Sequence, residues 1–173
     1  MSLRPILKYG AQELSTASQP LTEMDAPIQE LAKDMIETMY AAPGVGLAAP
    51  QIGLNIRLIV IDVSSGQDPK QLIVMANPEI LEKQGEQREE EGCLSVPGFG
   101  GVVARPQRVV VRGLDLEGKP YTVEGTGLLA RAFCHEIDHL NGKLFVERLG
   151  PLKRDLITRK IKKRMREGTW QTA

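Results

Sequence analysis

The alternation of apolar and polar residues predicts three helices in this chain. Residues 25–40 place apolar side chains on one stripe of a helix, with Asp25 as its N-cap and Pro27 near its first turn. Residues 127–140 form an apolar helix that ends at an Asn-Gly pair, which is a common helix terminus. A last helix is predicted over about residues 152–167, after a Gly-Pro step.

The segments between the first two helices predict strands. Residues 57–63 and 71–81 are rich in β-branched residues, and the second run contains a potential interruption at Asn77-Pro78. Residues 108–125 resemble a hairpin around the turn sequence EGKP. Because helices and strands do not alternate regularly, the pattern indicates an α+β fold with a mostly antiparallel sheet.

Length, charge and cysteine content limit the kinds of protein that this chain can be. A chain of 173 residues with 42% hydrophobic residues suits a single domain spanning 1–173. The formal net charge is zero, which argues against a general binder of DNA or membranes. With two cysteines, no signal peptide and no apolar run long enough to span a bilayer, we expect a cytoplasmic protein.

The segment AFCHEIDHLNG contains the only two histidines of the chain, His135 and His139. Residues four apart on a helix differ by about 40° around its axis, so both side chains can bind one metal ion. Glu136 is rotated by about 100° from His135, a suitable place for a base that acts on water activated by the ion. The alternative is a helix whose histidines are ordinary core or surface residues.

Catalytic zinc-type sites usually use three protein ligands, so a third one is needed. Position 145, where one metalloprotease pattern has a third histidine, is Phe145. Glu147 is close in sequence and Glu167 lies in a basic tail, so neither is an attractive ligand. Cys134 would point elsewhere on the helix. Cys93, in the glycine-bounded stretch EEEGCLSVPGFGG, remains the candidate, and its alternative role is a small buried hydrophobic residue.

Three segments together resemble the peptide deformylase family. They are GVGLAAPQ at 44–51, EGCLS at 91–95 and HEIDHLNG at 135–142, in the order found in that family. The resemblance covers essentially the whole chain. One departure is Cys134, at a position where the family commonly has glutamine, and it replaces no ligand.

The resemblance implies removal of the formyl group from the N-terminal formylmethionine of new polypeptides, with release of formate. It implies an α+β fold in which the H-E-x-x-H helix packs among antiparallel strands. The implied metal ligands are Cys93, His135 and His139, and the implied general acid/base is Glu136. Family members use Fe2+ naturally and accept Zn2+, Ni2+ or Co2+.

The same resemblance assigns oxyanion stabilisation to the Gln51 side chain and the backbone N–H of Leu94. An extended peptide could bind along Gly44, Val45 and Gly46, because glycine lets another backbone approach closely. An ordinary loop after a helix is the alternative for this segment.

The run EEE at 89–91 is expected to be a solvated charge run. Glu91 and Arg105 lie on either side of the cysteine segment, and a pair between them is a weaker hypothesis.

Residues 152–167 carry eight basic and two acidic residues. Leu152, Leu156, Ile161 and Met165 are predicted to dock this helix on the protein. A solvated terminal helix is one interpretation. The resemblance adds a second, docking on the ribosome, because some deformylases use a basic C-terminal helix in that way. The final TWQTA is expected to fray.

Two rival functions remain open at this stage. A zincin endopeptidase would cleave internal peptide bonds and would need a carboxylate or histidine as its third ligand. A structural metal module would close the ion with a fourth protein ligand, for which Cys134 is the only obvious spare thiol.

Overall fold

The computed structural model describes residues 2–173. Its helices are α1 (Ala26–Ala41), α2 (Leu128–Leu140) and α3 (Pro151–Arg166). Its strands are β1 (Gly46–Ala48), β2 (Leu58–Ile61), β3 (Ile73–Gln84), β4 (Gln87–Gly92), β5 (Gly100–Arg105), β6 (Arg108–Leu114) and β7 (Pro120–Thr126). Every strand pairing is antiparallel, which confirms the predicted α+β class.

Five strands form one sheet in the order β1-β2-β3-β6-β7, and β4 pairs with β5 in a separate two-stranded sheet. The predicted hairpin is β6–β7, and its turn is closed by a hydrogen bond from the Asp115 N–H to the Lys119 carbonyl at 2.9 Å. Gly118 in this turn has φ of 81°, a conformation that glycine adopts without strain.

The predicted interruption of the second strand takes the form of an irregularity within one continuous strand. The register of β3 against β6 shifts between Ala76 and Glu79. Asn77 has φ of 51°, and its side chain exchanges two hydrogen bonds of 2.8 Å with the backbone of Leu21. The Asn77 side chain thus bonds to the Leu21 backbone at the point where the regular pairing of β3 with β6 is interrupted.

The large sheet lies between two helices, and strand alternation sorts its side chains. Ile59 and Ile61 of β2 pack in the cluster that contains Phe133 of α2. Leu58 and Val60 point to the other face, into the cluster that contains the apolar side of α1. Helix α2, which carries the H-E-x-x-H segment, contacts strands of the large sheet and also β5 of the small sheet, so it packs among antiparallel strands, as the resemblance implies.

Several parts of the fold differ from the sequence prediction. The glycine-rich segment after α1 contains the short strand β1, and the EEE run lies in β4. Glu89 and Glu90 are exposed as expected for a charge run, but Glu91 is only 7% exposed. A single buried glutamate in an exposed strand indicates a specific partner.

The apolar stripe of α3 was also predicted wrongly in part. Ile157 and Ile161 are the buried residues of this helix, whereas Leu152 is 90% exposed and Leu156 is 48% exposed. The final segment does not fray as expected, because Trp170 is buried at 7% exposure in the cluster beneath α3. No helix among residues 2–173 combines the length and apolar character needed to cross a membrane.

Candidate active site

An open cleft of about 420 Å³ lies between β1, the loop that follows β4, and α2. The segment 44–46 forms one wall and residues 92–99 contribute to the opposite wall. His135 and Glu136 of α2 line the floor. The three segments that carry the sequence motifs therefore meet in one cavity, although they are far apart in sequence.

The side chains of Cys93, His135 and His139 converge at this floor. One ligand atom from each lies within 4.8 Å of the other two. The Cys93 Sγ is 3.5 Å from the His139 Nε2. Tetrahedral zinc, with bonds of about 2.3 Å to sulfur and 2.0–2.1 Å to nitrogen, would separate these atoms by roughly 3.5 Å. The donor set and its spacing therefore fit a divalent ion.

His135 is oriented by the buried carboxylate of Glu91. Its Nδ1 lies 3.0 Å from the Glu91 Oε1, which leaves Nε2 free to face a metal. Arg105 donates to the same carboxylate at 2.8 and 2.9 Å, so the weaker hypothesis of a Glu91–Arg105 pair is confirmed. Burial would raise the pKa of Glu91, but the bonds from Arg105 and His135 lower it to about 2.

The ion-pair network extends to residues that the sequence alone did not assign. Arg105 donates to Asp138 at 2.8 Å, and Arg148 donates to the same carboxylate at 2.6 and 2.7 Å. The available signal for Asp138 was its position as a charged residue within the apolar helix at 127–140, because a buried charge needs a partner.

The two histidines differ in their electrostatic surroundings. Burial lowers the pKa of His139 well below its usual value, and the positive charges of His135 and Arg105 lower it further. For His135, burial acts in the same direction, but the neighbouring Cys93, Glu136 and Glu91 side chains raise the pKa well above its usual value. The His139 Nδ1 is buried and has no hydrogen-bond partner among residues 2–173.

Glu136 lies beside the metal group with an unusual lack of partners. It is 4% exposed, and no described residue forms a hydrogen bond with its Oε1. Burial raises the pKa of this carboxyl group to about 7. A Cβ at Gly46 would lie 2.5 Å from the Glu136 Oε2, so only glycine fits at that position without moving the carboxylate.

Gln51 is held rigidly next to the cysteine. It is 1% exposed, and its Oε1 accepts a hydrogen bond from the Ala48 N–H at 3.0 Å. Its Nε2 lies 3.1 Å from the Ser95 Oγ and 3.8 Å from the Cys93 Sγ. The sequence did not single out Ser95, although it belongs to the EGCLS motif.

Leu94 and Gly44 meet across the cleft. A Cβ at Gly44 would lie 2.8 Å from the Leu94 Cδ1, so the glycine allows this close approach. Within the described part of the chain, the Leu94 N–H donates no hydrogen bond. Val45 lines the same wall, and its carbonyl accepts a hydrogen bond from the Asp62 N–H at 2.8 Å.

The alternative ligands considered from the sequence lie elsewhere. Cys134 is buried in the apolar cluster between α2 and the large sheet, where burial raises the pKa of its thiol. Glu147 accepts a hydrogen bond from the Leu144 N–H at 3.2 Å. For residues 2–173, the sole cluster of three or more potential ligands is Cys93, His135 and His139. Within that range, no fourth Cys, His, Asp or Glu joins this group.

Sequence comparison places the chain among known proteins. The family model of polypeptide deformylase matches residues 3–155. A peptide deformylase of Acidobacterium capsulatum is 49% identical over 170 residues, which cover 98% of this chain and all of the relative. A peptide deformylase of Thermodesulfovibrio yellowstonii is also 49% identical, over 94% of this chain and 98% of the relative.

Solved structures agree with the sequence comparison. The crystal structure of a peptide deformylase from Legionella pneumophila superimposes with a TM-score of 0.90 at 48% identity, covering 98% of this chain and 99% of that one. The peptide deformylase from Ehrlichia chaffeensis in complex with actinonin gives 0.87 at 38% identity, over 96% and 99% of the two chains. The chain thus belongs to the polypeptide deformylase family, the metal-dependent amide hydrolases that remove the N-formyl group from new polypeptides.

Proposed function

We propose that Cys93, His135 and His139 hold one divalent ion and that Glu136 is the general acid/base of deformylation. The observation that carries this proposal is the convergence of three ligand atoms within 4.8 Å, beside a buried carboxylate whose Oε1 has no described partner. The open cleft leads directly to these groups. Two neutral imidazoles and one thiolate leave a divalent ion with net positive charge.

An ion bound here would acidify water and polarise the formyl carbonyl group. Glu136 accepts one proton from the attacking water while the hydroxyl oxygen bonds to the formyl carbon. It then delivers a proton to the nitrogen as the carbon–nitrogen bond breaks, which releases formate and the free amino terminus. A carboxyl group with a pKa of about 7 is suited to both transfers near neutral pH.

The oxygen of the formyl group gains negative charge during the attack. We assign its stabilisation to the Gln51 Nε2–H and the Leu94 backbone N–H, each contributing roughly 3–4 kcal/mol. Gln51 is fixed in place because Ala48 holds the other end of its amide. Gln51→Leu is expected to lower kcat about 10²-fold or more with normal metal content. An unchanged kcat would remove Gln51 from this role.

We place the substrate backbone along Gly44, Val45 and Gly46. Strand β1 begins at Gly46 and is an edge strand of the large sheet, so an extended peptide can add to it through main-chain hydrogen bonds. The neighbouring wall offers apolar side chains to the methionine, among them Leu94, Phe99 and Leu128. We further propose that this cleft binds actinonin, as the deformylase from Ehrlichia chaffeensis does.

The deciding experiment measures two products from one substrate. The chain is purified without oxygen, its metal content is determined, and a formyl-Met peptide several residues long is added. We expect stoichiometric formate and an intact peptide with a free amino terminus. Cleavage of internal peptide bonds without formate would favour an endopeptidase and contradict the proposal.

Fe2+ is the ion that we propose for the cell, with Zn2+, Ni2+ or Co2+ as functional substitutes. Thiolate and imidazole ligands accept all four ions, so ligand type alone does not select between them. Metal analysis of protein purified anaerobically from cells grown in iron-sufficient medium is expected to find iron. Zinc as the only bound metal under these conditions would contradict this assignment.

We also propose that the chain acts as one catalytic domain in the cytoplasm and docks on the ribosome through α3. The helix exposes Leu152 and Leu156 among eight basic residues at 152–167. Exposed apolar side chains within a positive surface suit a partner that offers phosphate groups beside protein or base surfaces.

Charge reversal tests the docking proposal better than truncation. Truncation after Leu149 would also remove Ile157, Ile161 and Trp170 from the core. Replacing exposed Lys153, Arg154 and Lys160 by glutamate leaves those contacts intact. We expect loss of ribosome co-sedimentation at low salt with unchanged deformylation of free peptides. Undiminished co-sedimentation of the triple variant would contradict ribosome docking through this helix.

A further inference from the structure

We propose that Trp170 is a positioning residue for the active-site loop, defined here as residues 93–99. This loop carries Cys93, the Leu94 N–H and Phe99, so the proposal rests on the function assigned above to Cys93 and Leu94. Trp170 lies 77 positions beyond Cys93 and beyond the region matched by the family model, which ends at residue 155. It touches the loop only because the chain turns back after α3.

The turn after α3 is well defined. Gly168 has φ of 74°, and the Thr169 N–H donates to the Arg164 carbonyl at 2.9 Å. The last residues then run beside the N-terminal segment, where the Lys8 N–H donates to the Thr172 carbonyl at 2.7 Å. These bonds fix the backbone on both sides of Trp170. Trp170 itself is buried, with 7% of its surface exposed.

Two side chains from the C-terminal part of the chain, Trp170 and Arg164, contact Phe99 of the active-site loop. The Trp170 ring lies against Phe99, with centroids 6.2 Å apart and planes inclined at 54°. Arg164 also stands over the Phe99 ring, 5.5 Å from its centroid. Phe99 lines the substrate cleft, so these two C-terminal side chains support a wall of the cleft from behind.

A series of hydrogen bonds connects the indole to the cysteine. The Trp170 Nε1–H donates to the Tyr9 carbonyl at 3.0 Å, and the Tyr9 N–H donates to the Ser95 carbonyl at 2.8 Å. The Ser95 N–H in turn donates to the Cys93 Sγ at 3.4 Å. The Ser95 Oγ accepts from Gln51, so the same residue joins the cysteine to the oxyanion donor.

The loop has few internal restraints of its own. Its backbone hydrogen bonds are from the Val96 N–H to the Cys93 carbonyl at 2.9 Å and from the Phe99 N–H to the Val96 carbonyl at 3.4 Å. Gly98 has φ of 85°, a conformation that permits a sharp turn but does not enforce it. External contacts must therefore set the position of the sulfur. Trp170 contacts the loop directly at Phe99 and reaches the cysteine end through the Tyr9 backbone and Ser95.

The test compares Trp170→Ala and Trp170→Phe with the matched control Tyr121→Ala. Tyr121, like Trp170, is an aromatic residue whose polar group donates to a backbone carbonyl, that of Val74 at 2.6 Å, although Tyr121 is only partly buried. It packs on the cluster around α2 and the large sheet, away from the active-site loop. Each protein is loaded with zinc, and the rate of zinc transfer to a chelator is measured well below its Tm.

Trp170→Ala is expected to release zinc about 10-fold faster than the unchanged protein, because residues that orient a metal ligand typically affect affinity by 10–100-fold. Its kcat for deformylation should fall, because the Leu94 N–H moves with the sulfur. Trp170→Phe keeps an aromatic ring that can face Phe99 but loses the Nε1–H and part of the packing area of the indole, so its zinc release should be intermediate. Tyr121→Ala should lower Tm without changing zinc release or kcat.

Two results would overturn the positioning role. One is normal zinc release and normal kcat in Trp170→Ala. The other is equal acceleration in Tyr121→Ala at a similar Tm, since general destabilisation would then explain both. If Trp170→Ala does not fold, Trp170→Phe decides, and zinc release like that of the unchanged protein counts against the role. Zinc release is measured without substrate, so the absence of formate production would reject the deformylation mechanism separately.

Discussion

Two buried glutamates lie near His135, and their surroundings are opposite. Glu91 is 7% exposed and its carboxylate receives two bonds from Arg105 and one contact from the His135 ring. Glu136 is 4% exposed and its Oε1 has no partner in the part of the chain that the structure describes. The pKa of the first is lowered to about 2, and that of the second is raised to about 7.

The difference fits the two tasks that we propose for these glutamates, which have similar burial. Glu91 stays ionised at any ordinary pH, so it can fix the orientation of a histidine but cannot exchange protons usefully. Neighbouring groups do little to stabilise the ionised form of Glu136 against the effect of burial, so this carboxyl group can hold or release a proton near neutral pH. An unpartnered buried carboxyl group destabilises the fold, and such exceptions to polar pairing concentrate at functional sites.

Glu136→Gln is the strongest test of this contrast. The variant keeps the shape of the side chain but cannot transfer protons, so kcat should fall about 10²–10⁴-fold, the range typical of general acid–base catalysis. Formate release under saturating formyl-Met peptide measures the loss. The zinc content of the purified variant should equal that of the unchanged protein.

The matched variant Glu89→Gln replaces an exposed glutamate of β4 and should retain full activity. Turnover of Glu136→Gln within 10-fold of the unchanged protein would mean that proton transfer uses another group.

Arg105→Leu tests how much the buried ion pairs around Glu91 stabilise the fold. The change leaves Glu91 and Asp138 buried without their shared guanidinium, although Asp138 keeps Arg148. Removing one partner of a buried pair typically costs about 3–5 kcal/mol. For a protein of this size we expect Tm to fall by roughly 10 °C in thermal unfolding followed by circular dichroism.

An exposed arginine–glutamate pair at the start of β4 is the control. Arg88 and Glu86 lie 3.1 Å apart with side chains 67% and 59% exposed. Arg88→Leu should change the free energy of unfolding by less than about 1 kcal/mol. Equal decreases in the free energy of unfolding in Arg105→Leu and Arg88→Leu would show that the buried ion pairs stabilise the fold no more than a surface pair.

The residues around the two glutamates also differ in how far they could be predicted from the sequence. His135, Glu136 and His139 follow from helical periodicity, because their spacing within one element fixes their relative directions. Cys93 followed from excluding other ligands and from the resemblance to a family. The Glu91–Arg105 pair was a weak hypothesis because it depends on the pairing of β4 with β5, which no periodic pattern announces.

Features that depend on tertiary contacts were missed or predicted wrongly. Arg148 comes from a short turn after α2, and only the folded chain brings it to Asp138. Trp170 was expected to fray because a short polar terminus has no periodicity. Its indole instead fills space between Phe99 and the Tyr9 backbone. Terminal segments are held by long-range packing, and local sequence carries little information about that.

The dependence of stability on pH should have opposite signs at the two glutamates in the metal-free protein. For Glu136, the folded pKa of about 7 exceeds the usual 4.5, so its contribution is present below pH 4.5 and is lost as pH rises to 7. The loss amounts to about 3 kcal/mol. For Glu91, the contribution is present above pH 4.5 and is lost as pH falls towards 2.

Urea unfolding of the unchanged protein and of Glu136→Gln, both stripped of metal, separates these contributions. The stability gained by the variant should grow between pH 5 and 7 and then level off, because glutamine removes the group whose ionisation destabilises the fold. A gain that is independent of pH over this interval would show that Glu136 ionises as an ordinary carboxyl group.

Glu91→Gln should have the smallest effect and still distinguishes orientation from charge. The amide oxygen can accept from the His135 Nδ1–H as the carboxylate does, but its NH₂ group would oppose an N–H of Arg105. We expect zinc affinity to fall about 10-fold, the lower end for residues that orient a metal ligand, with kcat of the loaded enzyme nearly unchanged. Competition with a chelator measures the affinity, and Glu89→Gln is again the control.

If zinc affinity and Tm both equal those of the unchanged protein, the negative charge of Glu91 does not support His135. A large fall in kcat of the fully loaded enzyme would instead place Glu91 in the chemical step, which would remove the division of labour between the two glutamates.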